Sequence, residues 1–219
     1  ILTPSILWKS EILNSFGSVL FVENWVLAFK SENYLSQGQQ SSVFQQMWAI
    51  SVQMQLYFVI PLLLLLACRL SVLFGWSRTK VVNVLIFTLL ILSFMYSVIT
   101  TYQRQEFAYF DTFARLWEFL IGVLLAINIS TVVIPRVISS PLGISSLLTL
   151  VLFAAIFEVS SEFPGYMAVV PCLAAVGIIL ASYTGGYIPF LKSRLAMKSA
   201  DYSFAFYLWH WPILCFYRQ

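Results

Sequence analysis

Charge is what this sequence has least of. Twelve Lys and Arg with nine Asp and Glu amount to 10% of 219 residues, whereas 60% are hydrophobic. A soluble domain carries roughly 25% charged residues. No soluble core of this length can hide so much apolar surface, so the solvent has to be a bilayer. The net charge of +3 comes from few, scattered groups and excludes a basic face for nucleic acid. Histidine occurs once, at His210, which excludes a histidine metal site. Cys68, Cys172 and Cys215 are odd in number, unpaired in spacing and set in apolar runs. That excludes a disulfide framework or zinc site and leaves small buried hydrophobes. No metal and no bound cofactor are expected. A cleavable leader is also lacking. The opening "ILTPSILWKS" reads as a loop from inside a longer protein.

What is present is a series of long apolar runs. A membrane helix needs about 20 mostly apolar residues. Stretches near 12–29, 48–68, 81–100, 113–134, 142–158, 165–182 and 202–217 meet that need. The predicted fold is therefore all-α, a polytopic transmembrane bundle of about seven spans in a single domain. The first stretch is interrupted by Asn14, Glu23 and Asn24, which leaves a re-entrant or partly buried helix as an alternative. If the amino end faces the cytoplasm, Lys9, Arg69, Arg78, Lys80, Arg136, Lys192, Arg194 and Lys198 lie on that side. Lys30, Arg104, Arg115 and Arg218 lie opposite, as does the acidic loop with Glu158 and Glu162. The positive-inside rule favours this orientation. It also places the "NIS" triplet at Asn128 on the cytoplasmic side, where it is no glycosylation acceptor.

Three polar constellations interrupt the apolar pattern. In "QQMWAISVQMQLYFVIPLLLLL", Trp48, Ser51 and Gln55 share one helix face, and Gln53 and Tyr57 lie nearly opposite. An unsatisfied amide in hydrocarbon costs several kcal/mol, so these side chains bridge helices or line a wet cavity. In "YFDTFARLWEFLIGVLLA", Asp111, Arg115 and Glu118 fall at i, i+4 and i+7, above Gly122 and Ala126. This spacing predicts a guanidinium between two carboxylates, with small residues that let another helix approach. It suits a structural ion pair or a site for anionic substrate groups. In "SFAFYLWHWPILCFY", Ser203, Tyr207 and His210 follow one face, and Pro212 deprives the Leu208 carbonyl of its helical donor. His210 is either a hydrogen-bonded packing group or a proton-transfer group. From these residues alone, a membrane enzyme and a transporter both remain open.

The three blocks, in this order, resemble the acyltransferase-3 family of integral-membrane O-acyltransferases, which includes lipopolysaccharide and peptidoglycan O-acetylases. "WAISVQMQLYF" is similar to the family's W-S-L-S-V-E-E-Q-F-Y segment, "FARLWEFLIG" to its arginine–glutamate–glycine helix, and "YLWHWP" to its late helix. "LFVENW" is similar to its earlier asparagine–tryptophan segment. The resemblance implies a domain of roughly ten helices, with the opening helices, and a first-helix histidine base, outside this chain. It implies transfer of an acyl group, usually acetyl, from acyl-CoA to a hydroxyl of a surface carbohydrate or glycolipid. It further implies Glu118 and His210 as catalytic candidates, and Arg115, Trp48, Gln53 and Tyr57 as substrate-binding candidates. The implied partners are the acyl-CoA donor, the carbohydrate or glycolipid acceptor and membrane lipids, with no nucleic acid. Two departures stand out. Gln46 occupies the place of a family histidine, and Gln53 with Met54 that of paired glutamates. A catalytically degenerate member, or a transporter of a small anionic or sugar solute, are the alternatives.

Overall fold

The structure, a computed structural model, describes residues 8–34, 42–156, 163–188 and 190–217, without the side chains of residues 9, 10, 31–34 and 192. The loop carrying Glu158 and Glu162 lies outside these residues. Among the described residues the regular structure is helical: α1 (Trp8–Val19), α2 (Glu23–Tyr34), α3 (Met47–Phe74), α4 (Arg78–Gln103), α5 (Gln105–Phe110), α6 (Thr112–Asn128), α7 (Arg136–Ile156), α8 (Val169–Tyr183) and α9 (Arg194–Tyr217). Among the described residues five helices are long and apolar enough to cross a membrane: α3, α4, α6 with its following turn, α7, and α8 with its preceding turn. The chain is an integral, multi-pass membrane protein.

That the described residues hold five such helices, where about seven were expected, has two local causes. The expected span at 12–29 breaks between α1 and α2, each 12 residues long. A 12-residue helix is about 18 Å long, short of the roughly 30 Å hydrocarbon core. The break is a Schellman stop in which Phe21, with φ 55°, takes the left-handed position that glycine usually fills. The Val22 amide donates to the Gly17 carbonyl at 2.7 Å and the Phe21 amide to the Ser18 carbonyl at 3.2 Å. Asn14, Glu23 and Asn24, whose polarity interrupted the hydrophobic pattern, are buried around this elbow. The last expected span, 202–217, is the second part of α9 (Arg194–Tyr217) and carries His210 and Pro212 within its 16 residues, too few for a full crossing.

α4 and α6 form the tightest pair of the bundle and meet α3 in a core of Ala67, Val82, Ile86 and Leu120. Polar side chains seal both ends of that pair. Ser93 of α4 donates to the Phe113 carbonyl at 2.7 Å and accepts from the Trp117 amide at 2.9 Å. At the far end Asn83 and Asn128 exchange amide hydrogen bonds, both at 2.9 Å. Asn128 is thus an interhelical clasp. α7 and α8 form a second pair through small residues. A methyl group at Gly143 would meet Ile188 at 2.5 Å and Ala181 at 2.9 Å, and one at Gly177 would strike the Ser146 hydroxyl. Close approach occurs here and not at Gly122, where a methyl would have nothing within 4 Å. The Gly122–Ala126 stripe is exposed in this chain.

Candidate active site

The site begins where α5 ends. Asp111 leaves the helical path (φ −71°, ψ 123°) and caps α6, its Oδ1 accepting from the Phe113 amide at 2.8 Å. Its Oδ2 accepts from the Tyr96 hydroxyl at 2.8 Å. The fully buried Asp111 carboxylate is therefore occupied. It does not flank Arg115, as helical spacing from 111 to 118 would have it. The physical reason is the cap: an aspartate opening a helix turns its oxygens onto the free first-turn amides.

Arg115 pairs instead with Glu118, Nη1 to Oε1 at 2.9 Å, and its Nε donates to the Tyr109 carbonyl at 3.2 Å. Three rings enclose the buried guanidinium: Trp48 of α3 at 5.5 Å, Tyr109 of α5 at 5.0 Å and Phe163 at 5.3 Å. Cation–π attraction strengthens when the cation is desolvated. The ring box therefore fixes the guanidinium plane where water cannot. Nη2 keeps two N–H donors with no protein acceptor among the described residues. Trp48, Arg115 and Glu118 were predicted from sequence and come together here. Tyr109 and Phe163 were missed. Tyr109 had a signal in the aromatic run before Arg115, whereas Phe163 had none.

Gln53 and Tyr57 are not brought to this cluster. They hydrogen bond to each other along α3, and both face outward, Tyr57 at 57% exposure. The amide that matters on α3 is Gln55. Its Oε1 accepts from the Thr112 hydroxyl at 2.6 Å and the Trp25 indole at 3.3 Å. Its Nε2 donates to the Phe21 carbonyl at 2.8 Å and to Asn24 Oδ1 at 2.9 Å. Asn24 in turn donates to Thr112 Oγ1 at 2.9 Å and the Phe110 carbonyl at 3.1 Å. This closed network joins α2, α3 and the start of α6, and it fixes the turn that aims Arg115.

The third constellation is tied to the first through Gln46. Its Nε2 donates to the Leu208 carbonyl at 3.1 Å, the group that Pro212 leaves without a helical donor. The Tyr207 hydroxyl donates to the Gln46 carbonyl, and the Trp211 indole to the Ser42 carbonyl at 2.9 Å. The Gln46 Oε1 is buried with no partner among the described residues. His210 Nδ1 lies 2.7 Å from the Tyr207 carbonyl. A carbonyl can only accept, so Nδ1 is the donor of this bond. No contact joins His210 to Arg115 directly. Among the described residues, no group of three or more His, Cys, Asp or Glu side chains is placed to hold a metal ion.

The helices and this buried cation site define a polytopic membrane protein with a polar centre built at the junction of α2, α3, α5 and α6. The chain belongs to the acyltransferase domain family, whose sequence model matches residues 5–219. It is 24% identical over 228 residues to the "Peptidoglycan O-acetyltransferase OatA" of Listeria monocytogenes, covering 96% of this chain and 36% of that protein. It is 26% identical over 202 residues to the "Putative membrane-bound transacylase BcsY" of Komagataeibacter xylinus, covering 91% of this chain and 48% of that one. The chain thus spans between about a third and a half of these relatives. No solved structure matches it.

Proposed function

We propose that this chain is part of a membrane O-acyltransferase that moves an acyl group, acetyl in the first instance, from acyl-CoA to a hydroxyl of a surface carbohydrate or glycolipid. Family membership and the names of the relatives support the reaction class. The observation that carries the assignment of roles is Arg115: buried, ringed by Trp48, Tyr109 and Phe163, and paired with Glu118 while Nη2 keeps two donors. Such donors suit an anionic group of the donor substrate, or the oxyanion that develops as a hydroxyl attacks a thioester carbonyl. In that step the hydroxyl proton passes to a base, the new C–O bond forms, and the thiolate leaves. Glu118 orients Arg115 and is a candidate acceptor for a substrate hydroxyl. His210, whose Nδ1 is held by the Tyr207 carbonyl, is a secondary candidate for proton transfer. The family resemblance supports a principal base in an upstream helix of the whole protein.

The test is Arg115→Lys in the full-length protein, assayed by transfer of radiolabelled acetyl from acetyl-CoA in membranes. Lysine keeps the charge but loses the planar fork and the flat face the rings enclose. Transfer should fall about 10²-fold or more, the scale of losing one preorganised donor, while abundance in the membrane stays near wild type. Undiminished transfer by an abundant, folded variant would leave Arg115 a packing partner of Glu118 and defeat the assignment.

A further inference from the structure

α3 ends at Gly75, whose left-handed φ of 66° stops the helix and turns the chain through Trp76 into α4. α4 commits Val82, Ile86, Ser93 and Ser97 to burial. Its neighbouring face, with Val81, Val84, Leu85 and Thr88, is left to form one wall of a groove. Leu70 and Phe74 of α3 form the other wall, and Trp76 and Lys80 stand at the end nearest the turn. The groove encloses about 430 Å³, within the range of small-molecule sites. It opens between α3 and α4, two helices long and apolar enough to cross a membrane. From Lys80 to Thr88 it runs eight residues along the helix, about 12 Å into the bilayer. Lys80 is exposed and engages no acidic partner among the described residues. The basic residues before and after the turn, Arg69 and Arg78, are exposed as well.

We infer that this groove binds one acyl chain of an anionic phospholipid, whose phosphate sits on Lys80 and whose ester region lies against Trp76. The lining argues for a chain: it is apolar, and on α4 it follows one stripe of the helix through Lys80, Val81, Val84, Leu85 and Thr88. The charge argues for an anionic head, because Lys80 at the rim has no acidic partner among the described residues and a phosphate at the membrane surface would supply one. The indole argues for the depth, since tryptophan favours the headgroup boundary. This binding site is independent of the acyl-transfer reading.

The probe is an equimolar mixture of phosphatidylglycerol and phosphatidylcholine added to the detergent-purified chain, with retained lipid counted by native mass spectrometry. Phosphatidylglycerol should be retained about fivefold over phosphatidylcholine, the bias that one basic residue at an anionic surface gives. Lys80→Gln should bring the ratio close to one, and Lys80→Glu should invert it. Val84→Trp fills the groove from an outward position, 65% exposed in the wild type. It should reduce retention of both lipids severalfold without lowering the melting temperature. Equal retention of the two lipids by wild type would overturn the inference, as would full retention by Val84→Trp. A doubled mass that Val84→Trp returns to the single chain would give the groove to a second copy instead.

Discussion

Gln46 and Pro212 are 166 positions apart in the chain, yet they should be energetically coupled through a single carbonyl. In an unbroken helix the amide of residue 212 would donate to the Leu208 carbonyl. Proline has no such amide, and the Gln46 Nε2 donates there instead, at 3.1 Å. Gln46→Met keeps the length of the side chain and removes the donor. Leaving this part-buried acceptor without its partner costs about 1–3 kcal/mol. Part of that is returned, because the substitution also removes the Gln46 Oε1, which is buried without a partner. The net loss should be about 1–2 kcal/mol, or roughly 3–6 °C in melting temperature for a chain of this size. In a Pro212→Ala background the restored amide donates to Leu208 from within α9. The same Gln46→Met change should then cost less than about 1 °C. The two contacts that dock the loop on α9, Tyr207 to the Gln46 carbonyl and Trp211 to the Ser42 carbonyl, involve backbone acceptors and survive in all four proteins. The assay is thermal unfolding of wild type, both single variants and the double variant in one detergent. Equal losses in the two backgrounds would refute the argument, because the amide would then be acting on something other than that carbonyl.

Glu23 supplies a pH dependence. Burial pushes its carboxyl up to about 8, against a smaller opposing pull from Lys30. The folded protein therefore holds this proton more tightly than the unfolded chain, and stability present below about pH 4.5 is lost as pH rises through 8. Glu23→Gln should melt near wild type at pH 5 and clearly above it at pH 8.5; parallel curves would show the carboxyl to be already ionised and solvated. The glycines should separate by their surroundings: Gly122→Ala, with open space around the new methyl, should gain about 0.5–1 kcal/mol as a helix-interior replacement. Gly143→Ala, driven into Ile188 and Ala181, should lose about 1–3 kcal/mol by overpacking, and melting of the two variants in the same detergent checks the opposite signs.

The long spans were legible because length and hydropathy alone decide what crosses a bilayer, and α3, α4, α6, α7 and α8 have both. Arg115, Glu118 and Trp48 were legible because charge and aromatic side chains inside such runs have few places to go. Asp111 was misplaced because counting i, i+4, i+7 assumes an unbroken helix. The alternative signal, an aspartate opening an apolar helical run, is that of a cap. The elbow at Phe21 carried no glycine to announce it. Phe163 reaches Arg115 from 48 positions away, and nothing local in the sequence encodes that approach.

These breaks share a consequence that explains the amides at the mouth of α3. Each interruption of a helix leaves a backbone carbonyl without its regular donor, and within a membrane bundle such a group has to be satisfied by protein. At the elbow the Phe21 carbonyl accepts from Gln55 at 2.8 Å. At the end of α5 the Phe110 carbonyl accepts from Asn24 at 3.1 Å. In α9 the Leu208 carbonyl accepts from Gln46 at 3.1 Å. All three donors are side-chain amides brought from another element. A carboxylate could not replace them, since it has no hydrogen to donate when ionised. Gln46 and Gln55 therefore hold their positions through the backbone they mend, whatever acid or base chemistry the wider family performs there. That separates the two kinds of polar residue in this bundle. The amides fix where the helices break, and the breaks at Phe110 and Asp111 set the start of α6, from which Arg115 enters its ring of Trp48, Tyr109 and Phe163.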